Sequence, residues 1–327
     1  NRVVGGIEFT GRLTDCYTAN LILTTANRIL MRLDTFTATN FRRLEKIVSR
    51  FPWELYLKPG TPVRFNVSTH RSRLIHKKAV AECFQTGFQQ RSHPLKSPAV
   101  GDEATVVDQQ IFIRGVDDRF TISLDSSGDL LYRRGIKSHP AAAPIRETIA
   151  AAVLDLAGFS ADMPLLDPMC GAGTFSLEAA MKAQVMPAGW FRSFAFFDWP
   201  AFRPQRWAHI RKQYQQRIRP LHRVSIYASD SDPNACKQLK TAVASAGFSD
   251  MVAVEQKNFF DIVPETLTAD TGLVVLNPPY GRRVANRKQS DRLFAEICRK
   301  LAADYKGWRI GILVPYKKWL NNIRFTH

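Results

Sequence analysis

Cysteine is scarce in this chain: five in 327 residues, an odd count, with no two spaced as CxxC. That argues against a disulfide framework and a zinc site, predicts no metal, and fits a reducing, cytoplasmic setting. Long apolar runs are also missing. No stretch approaches the roughly 20 residues that a membrane-spanning helix needs. The opening residues, NRVVGGIEFTGR, lack the apolar core of a secretory leader. The first residue is Asn rather than Met, so a preceding piece is expected. There is no internal repeat and no low-complexity tract. Acidic residues are few in the first third: residues 1–100 hold 16 Lys and Arg against 6 Asp and Glu, and so carry most of the net charge of +17. A basic stretch of that kind fits a polyanionic partner, RNA or DNA. What is present is otherwise ordinary for a globular chain, with 45% hydrophobic and 23% charged residues. The length suggests two or three domains.

Pro and Gly punctuate residues 57–62, LKPGTP, and mark a domain junction. Before it, residues 17–31 and 40–51 read as helices; in the second, Phe41, Leu44, Ile47, Val48 and Phe51 recur at helical spacing. After it, residues 63–68 alternate as a strand would. Residues 76–90 read as a helix with Ala79, Val80, Cys83, Phe84 and Phe88 on one face. Residues 104–114 and 119–125 are β-rich runs around Val116, Asp117 and Asp118, which predicts a hairpin. This first part is expected to be α+β. The pattern changes near residue 140. Pro144 suits the first turn of a helix running through Ala157. Strands and helices then alternate at 164–166, 174–183, 224–229, 232–246, 252–257, 273–276, 290–304 and 308–314. That alternation predicts a mostly parallel, doubly wound sheet with ligands at the carboxyl ends of its strands. The aromatic-rich residues 190–207 are expected mostly to be core, with a lid as the alternative.

Four candidate motifs follow strands. In LLDPMCGAGT, residues 165–174, Gly171 and Gly173 permit a tight turn and close approach to a ligand. No Gly-Lys-Ser/Thr follows, so the loop is not a phosphate-binding Walker loop, and Ser176 breaks a full GxGxxG. Asp167 would repel phosphate but suits a cationic amino-acid moiety, which points to S-adenosylmethionine; a turn chosen for packing is the alternative. In SIYASD, Asp230 ends the next strand, where a carboxylate can take both hydroxyls of a ribose. Asp232 reads as a helix N-cap. In NFFD, residues 258–261, Asp261 could accept from an adenine amino group with Phe259 or Phe260 against the ring. A loop Asp beside core phenylalanines is the plainer reading. In LVVLNPPYGR, residues 273–282, a buried strand stops at two prolines that cannot join a sheet ladder. Asn277, Pro278, Pro279 and Tyr280 then offer acceptors and an aromatic face to a flat, amine-bearing base.

In order and spacing, DPMCGAGT, Asp230, NFFD and NPPYG resemble the S-adenosylmethionine-dependent amino-methyltransferases. The preceding half is similar to the THUMP-domain RNA methyltransferases. The resemblance rests on GGIEF at 5–9, RFPWE at 50–54, PVRFNVSTHRSRLIH at 62–76, FTISLDSSG at 120–128, LYRRG at 131–135 and APIRETIAAA at 143–152. The nearest resemblance is to the bacterial large-subunit ribosomal RNA guanine-N2 methyltransferases. It implies an α/β Rossmann-like class I methyltransferase domain preceded by an α+β ferredoxin-like/THUMP RNA-binding region. The expected division is a partial ferredoxin-like module at 1–58, a THUMP-like domain at 59–135 and a methyltransferase domain at 136–327. Family members continue past the fifth strand, so this last domain is expected to be truncated at its carboxyl end.

The resemblance also implies roles. Asp167, Met169, Cys170, Gly171, Gly173, Thr174, Asp230, Phe260, Asp261 and Asn277 would hold S-adenosyl-L-methionine. Asn277, Pro278, Pro279 and Tyr280 would place an exocyclic amine of an RNA base for in-line methyl transfer, after the base is flipped out. Arg42, Arg43, Arg71, Arg73, Lys77 and Lys78 would contact RNA phosphates. The rival readings are a DNA adenine-N6 methyltransferase, a transfer RNA guanine-N2 methyltransferase and a non-catalytic RNA-binding factor. A nicotinamide oxidoreductase leaves NPPY without a role.

Overall fold

A computed structural model describes residues 1–91, 108–137, 145–279, 287–315 and 319. It divides into two compact units. The first comprises Asn1–Ile22, Ala26–Leu131 and Arg192–Lys212; the second comprises Leu23–Thr25, Tyr132–Phe191 and Gln213–His327.

The first unit opens with a small antiparallel pair, β1 (Arg2–Val3) and β2 (Gly6–Ile7), and the helix α1 (Leu13–Ile22). Then come β3 (Leu30–Thr37), α2 (Phe41–Arg50), β4 (Val63–His70), α3 (Lys77–Arg91), β5 (Gln109–Val116) and β6 (Arg119–Asp125). The four longer strands form one sheet in the order β3-β6-β5-β4, with β4 and β5 parallel and the other pairs antiparallel. The sheet thus joins strands from both sides of the junction expected at 58/59. Asn40 caps α2 by accepting from the Arg43 N–H at 2.9 Å, while Leu44 and Val48 face inward. Asp117 and Asp118 both take positive φ, as a two-residue hairpin turn of type I′ requires.

The helix expected over 17–31 ends at Ile22, and Leu30 and Met31 already belong to β3. Two causes combine. Thr24 and Thr25 are poor helix formers. Residues Leu23–Thr25 also belong to the second unit, where the Thr24 carbonyl accepts from Arg134 at 2.5 Å. The first unit also reclaims the aromatic-rich segment. Phe194, Phe196 and Trp199 are buried, and Phe196 stacks on Tyr17 with centroids 4.5 Å apart. Only those three of the expected core residues are buried; Ser193, Asp198, Pro200, Ala201 and residues 203–206 are exposed, so the segment is core at its aromatic rings and surface elsewhere.

The second unit alternates helices and strands: α4 (Glu147–Leu156), β7 (Leu165–Asp167), α5 (Thr174–Ala183), β8 (Ile226–Asp230), α7 (Pro233–Ala246), β9 (Val252–Gln256), β10 (Leu273–Leu276), α8 (Arg287–Asp304) and β11 (Arg309–Ile312). The helix α6 (Pro204–Gln215) lies mainly in the first unit's excursion. The sheet is fully parallel, in the order β11-β10-β7-β8-β9. All four residues of β10 are buried, as a central strand covered on both faces should be. α4 starts at Glu147; Pro144 lies outside the described residues, as do 104–107 of the expected β5 run. No described helix is long and apolar enough to cross a membrane.

Candidate active site

Because every strand of the second sheet is parallel, the carboxyl ends share one edge. From β7 the chain winds through β8 and β9 on one side, while β10 and β11 lie on the other. The order therefore reverses between β7 and β10, and the crevice outside such a reversal is where open α/β sheets hold ligands. Asp167 closes β7, and Asn277 directly follows β10.

Asp167 is enclosed, at 1% exposure. Its Oδ2 accepts from the Ser176 hydroxyl at 2.7 Å and the Ser176 N–H at 3.2 Å, which satisfies an orphan donor in the first turn of α5. Burial pushes its carboxyl up to about 7; the Ser176 bonds pull it back, the Asp230 charge adds to the rise and Lys137 opposes it. Asp167 is thus enclosed, and its Oδ2 organises the loop from within. Gly171 and Gly173 both take left-handed φ, at +51° and +69°. They serve different ends. A Cβ on Gly173 would stand 2.1 Å from Leu239 Cδ1, whereas one on Gly171 would meet nothing within 4 Å. Packing therefore explains Gly173, and Gly171 borders open space.

Cys170 is buried, its N–H donating to the Ser229 carbonyl at 2.9 Å, and burial pushes its thiol up. Met169 packs partly against the cluster of Leu166, Phe259 and Ile262. Asp230 tethers the loop: its Oδ2 accepts from Gly171 N–H at 2.8 Å and its Oδ1 from Asp232 N–H at 2.9 Å. One lone pair on each oxygen remains for a ribose hydroxyl. Burial separates the two phenylalanines. Phe259 is core, stacked on Tyr305, and Phe260 is 38% exposed beside the exposed Asp261. At the fourth strand end, Pro278 is buried and Pro279 half-buried. Asn277 Oδ1 is buried with no hydrogen-bond partner among the described residues. Tyr280 lies outside the described residues.

Several residues escaped the sequence reading. Lys137 donates to Thr174 Oγ1 at 2.7 Å and pairs with Glu147 at 3.2 Å, beside the start of α5. Arg134 forms an almost fully buried pair with Glu178 at 2.9 Å. Neither lies at a strand end, so strand-end logic passed over them. Ser176 was legible as a polar residue in the third position of a helix. In the first unit, Arg71 and Arg73 are matched to the hairpin acids Asp117 and Asp118, and Lys78 reaches Glu82 at 3.9 Å. Arg42 and Arg43 line an open groove of about 790 Å³ together with Lys46 and Arg50, two cations the sequence reading did not single out, and with one carboxylate, Asp34. Lys77 opens α3.

An amide acceptor that is buried and without a partner among the described residues, at the reversal of a parallel sheet, is a group that a polar ligand can satisfy. A family profile described as the RMKL-like methyltransferase domain matches residues 134–324. The chain belongs to the RMKL-like methyltransferase family. A second profile, the RlmL ferredoxin-like domain, matches residues 1–30. Among relatives of this RMKL-like chain, YpsC of Bacillus subtilis, described as a candidate RNA methyltransferase, is 30% identical over 90% of this chain and 76% of its own length. Ribosomal RNA large subunit methyltransferase K/L of Methylococcus capsulatus is 32% identical over 94% of this chain. The chain spans only 42% of the length of that relative. In structure the RMKL-like chain resembles SMU.472, a candidate methyltransferase solved with SAH. The TM-score is 0.80 at 26% identity, covering 96% of this chain and 82% of that one. The open space at Gly171, the spare acceptors on Asp230 and the exposed Phe260 fit a ligand of the kind that SMU.472 holds.

Proposed function

We propose that this chain methylates an exocyclic amine of an RNA base, guanine N2 in large-subunit ribosomal RNA. The observation that carries the reading is Asn277 Oδ1, buried, without a partner among the described residues and placed at the switch point of the sheet. An orphaned buried acceptor costs about 1–3 kcal/mol, which a substrate N–H would offset. S-adenosylmethionine supplies an electrophilic methyl group on a sulfonium. Asn277 Oδ1 and the Pro278 carbonyl accept the two amine protons and favour a more tetrahedral nitrogen; Tyr280 stacks on the base. The methylated amine is acidic, so no strong general base is needed, and positioning does most of the work. Asp230 takes the ribose of the cofactor and Asp261 its adenine amine, with Phe260 against the ring.

RNA as acceptor is supported by the names of the K/L and YpsC relatives and by the cationic groove along α2. On this reading the first unit, THUMP-like in sequence, holds the RNA backbone through Arg42, Arg43, Lys46 and Arg50, with Lys77 and the partly compensated Arg71, Arg73 and Lys78 adding to the field. The choice of guanine and of ribosomal RNA comes from the family resemblance.

Asn277→Ala tests the assignment. Methyl transfer to RNA should fall by about 100-fold or more, while calorimetric affinity for S-adenosylmethionine stays within about threefold, well below one lost hydrogen bond to a charged group. Near wild-type turnover by this variant removes Asn277 from catalysis. Mass-spectrometric mapping of the methylated nucleoside then identifies the base.

A further inference from the structure

We propose that Lys137 binds the α-carboxylate of S-adenosylmethionine and sets the cofactor's amino-acid end against the start of α5. The inference rests on the cofactor reading and adds a residue outside the strand-end motifs. Lys137 Nζ donates to Thr174 Oγ1 at 2.7 Å and lies 3.2 Å from Glu147 Oε1, with its side chain 18% exposed. An ammonium has three protons, and these contacts use two.

Thr174 is the first residue of α5 and follows the left-handed Gly173. The Ser176 N–H is taken by Asp167 and the Leu177 N–H by the Gly173 carbonyl. The N–H groups of Thr174 and Phe175 are the orphans that every helix start leaves. Because Thr174 Oγ1 accepts from Lys137, its own hydroxyl proton is free to donate outward. Thr174 and Phe175 are buried, and with Lys137 they set two backbone N–H groups, a hydroxyl and an ammonium at the start of α5, three residues after the open space at Gly171.

Charge makes Lys137 necessary there. Asp167, Asp230 and Glu147 surround the loop with carboxylates, and Asp167 feels both the Asp230 and the Lys137 charges. Such a site favours the sulfonium and ammonium of the cofactor but repels its carboxylate unless a cation stands beside it. A lysine serving Glu147 alone would not place its shorter contact on Thr174.

The test is calorimetry of the full chain with S-adenosylmethionine and with decarboxylated S-adenosylmethionine, for wild type, Lys137→Met and Lys137→Arg. Wild type should prefer the carboxylated ligand. Lys137→Met should lose about 10- to 100-fold affinity for it, as expected for one charged hydrogen-bonded contact, and little for the decarboxylated one. Lys137→Arg should recover most of the preference. Equal losses for both ligands would make Lys137 a structural residue and overturn the proposal, as would no loss at all. Because the two ligands are compared within one variant, a folding defect cannot imitate the result. A wild type that binds neither ligand would instead overturn the cofactor site itself.

Discussion

Asp167 illustrates how one residue's environment decides its chemistry. A strand-end aspartate is expected to be ionised and open to a ligand. Here enclosure and the nearby Asp230 push its carboxyl up to about 7, against the pull of Ser176 and Lys137. The folded chain keeps the proton to higher pH than the unfolded chain, whose aspartates titrate near 4. Its contribution to stability is therefore complete below about pH 4 and is lost as pH rises to about 7. Asp167→Asn keeps a neutral acceptor for Ser176 without that titration. Denaturant unfolding at pH 5 and pH 8 should show the variant gaining roughly 2–3 kcal/mol relative to wild type across the interval. A relative stability flat with pH would show that Asp167 is already ionised at pH 5. Phe259 and Phe260 make the same point about environment: adjacent and chemically identical, they are separated only by burial.

At the scale of elements, the second unit was almost wholly legible. α5 and β10 fall on their expected residues because each carries its own punctuation. α7 has an Asp232 cap, Pro233 at its first position and Gly247 in left-handed conformation after its end. β3 was not legible. Its exposure alternates only weakly, and its partner β6 lies some ninety residues later, so pairing rather than propensity makes it a strand. α5 also contains one local conflict. The position after its C-cap is Val185 at φ +56°, 49% exposed, where the Met186 N–H closes back on the Met181 carbonyl at 2.8 Å. A β-branched residue in that conformation is strained by about 1–2 kcal/mol. Val185→Gly relieves the strain at some entropic cost, so the expected net gain is about 0.5–1 kcal/mol. Thermal unfolding should shift upward by roughly 1–4 °C; a downward shift would mean that Val185 packing outweighs its strain.

At the scale of the whole molecule, charge is the property that matters most. Arg71, Arg73 and Lys78 sit close to acidic side chains, while Arg42, Arg43, Lys46 and Arg50 gather on one groove. Arg42, Lys46 and Arg50 recur every fourth residue, about 6 Å apart along α2, a spacing that suits successive phosphates of one strand. RNA affinity should therefore fall steeply with salt. Arg42→Glu with Lys46→Glu should flatten the slope of log K against log salt by about 1.5 units or more. Arg71→Glu with Arg73→Glu should change it less. Fluorescence anisotropy with a ribosomal RNA fragment separates the pairs, and equal effects would deny the groove its special role.

The sequence by itself determined the parallel sheet, the strand-end loops and the residues that follow them. Those depend on local periodicity, on glycine and proline, and on caps that act within a few residues. It also determined the excess of positive charge in the first third. Tertiary structure alone decided how residues distant in sequence were used. It enclosed Asp167, brought Lys137 to α5, sent the rings of Phe194, Phe196 and Trp199 into the core of the first unit, and matched Arg71 and Arg73 to a hairpin while leaving the α2 cations together. Each of these outcomes is a balance of desolvation and pairing between groups many residues apart. A local pattern fixes which residues are available for that balance but not which of them meet.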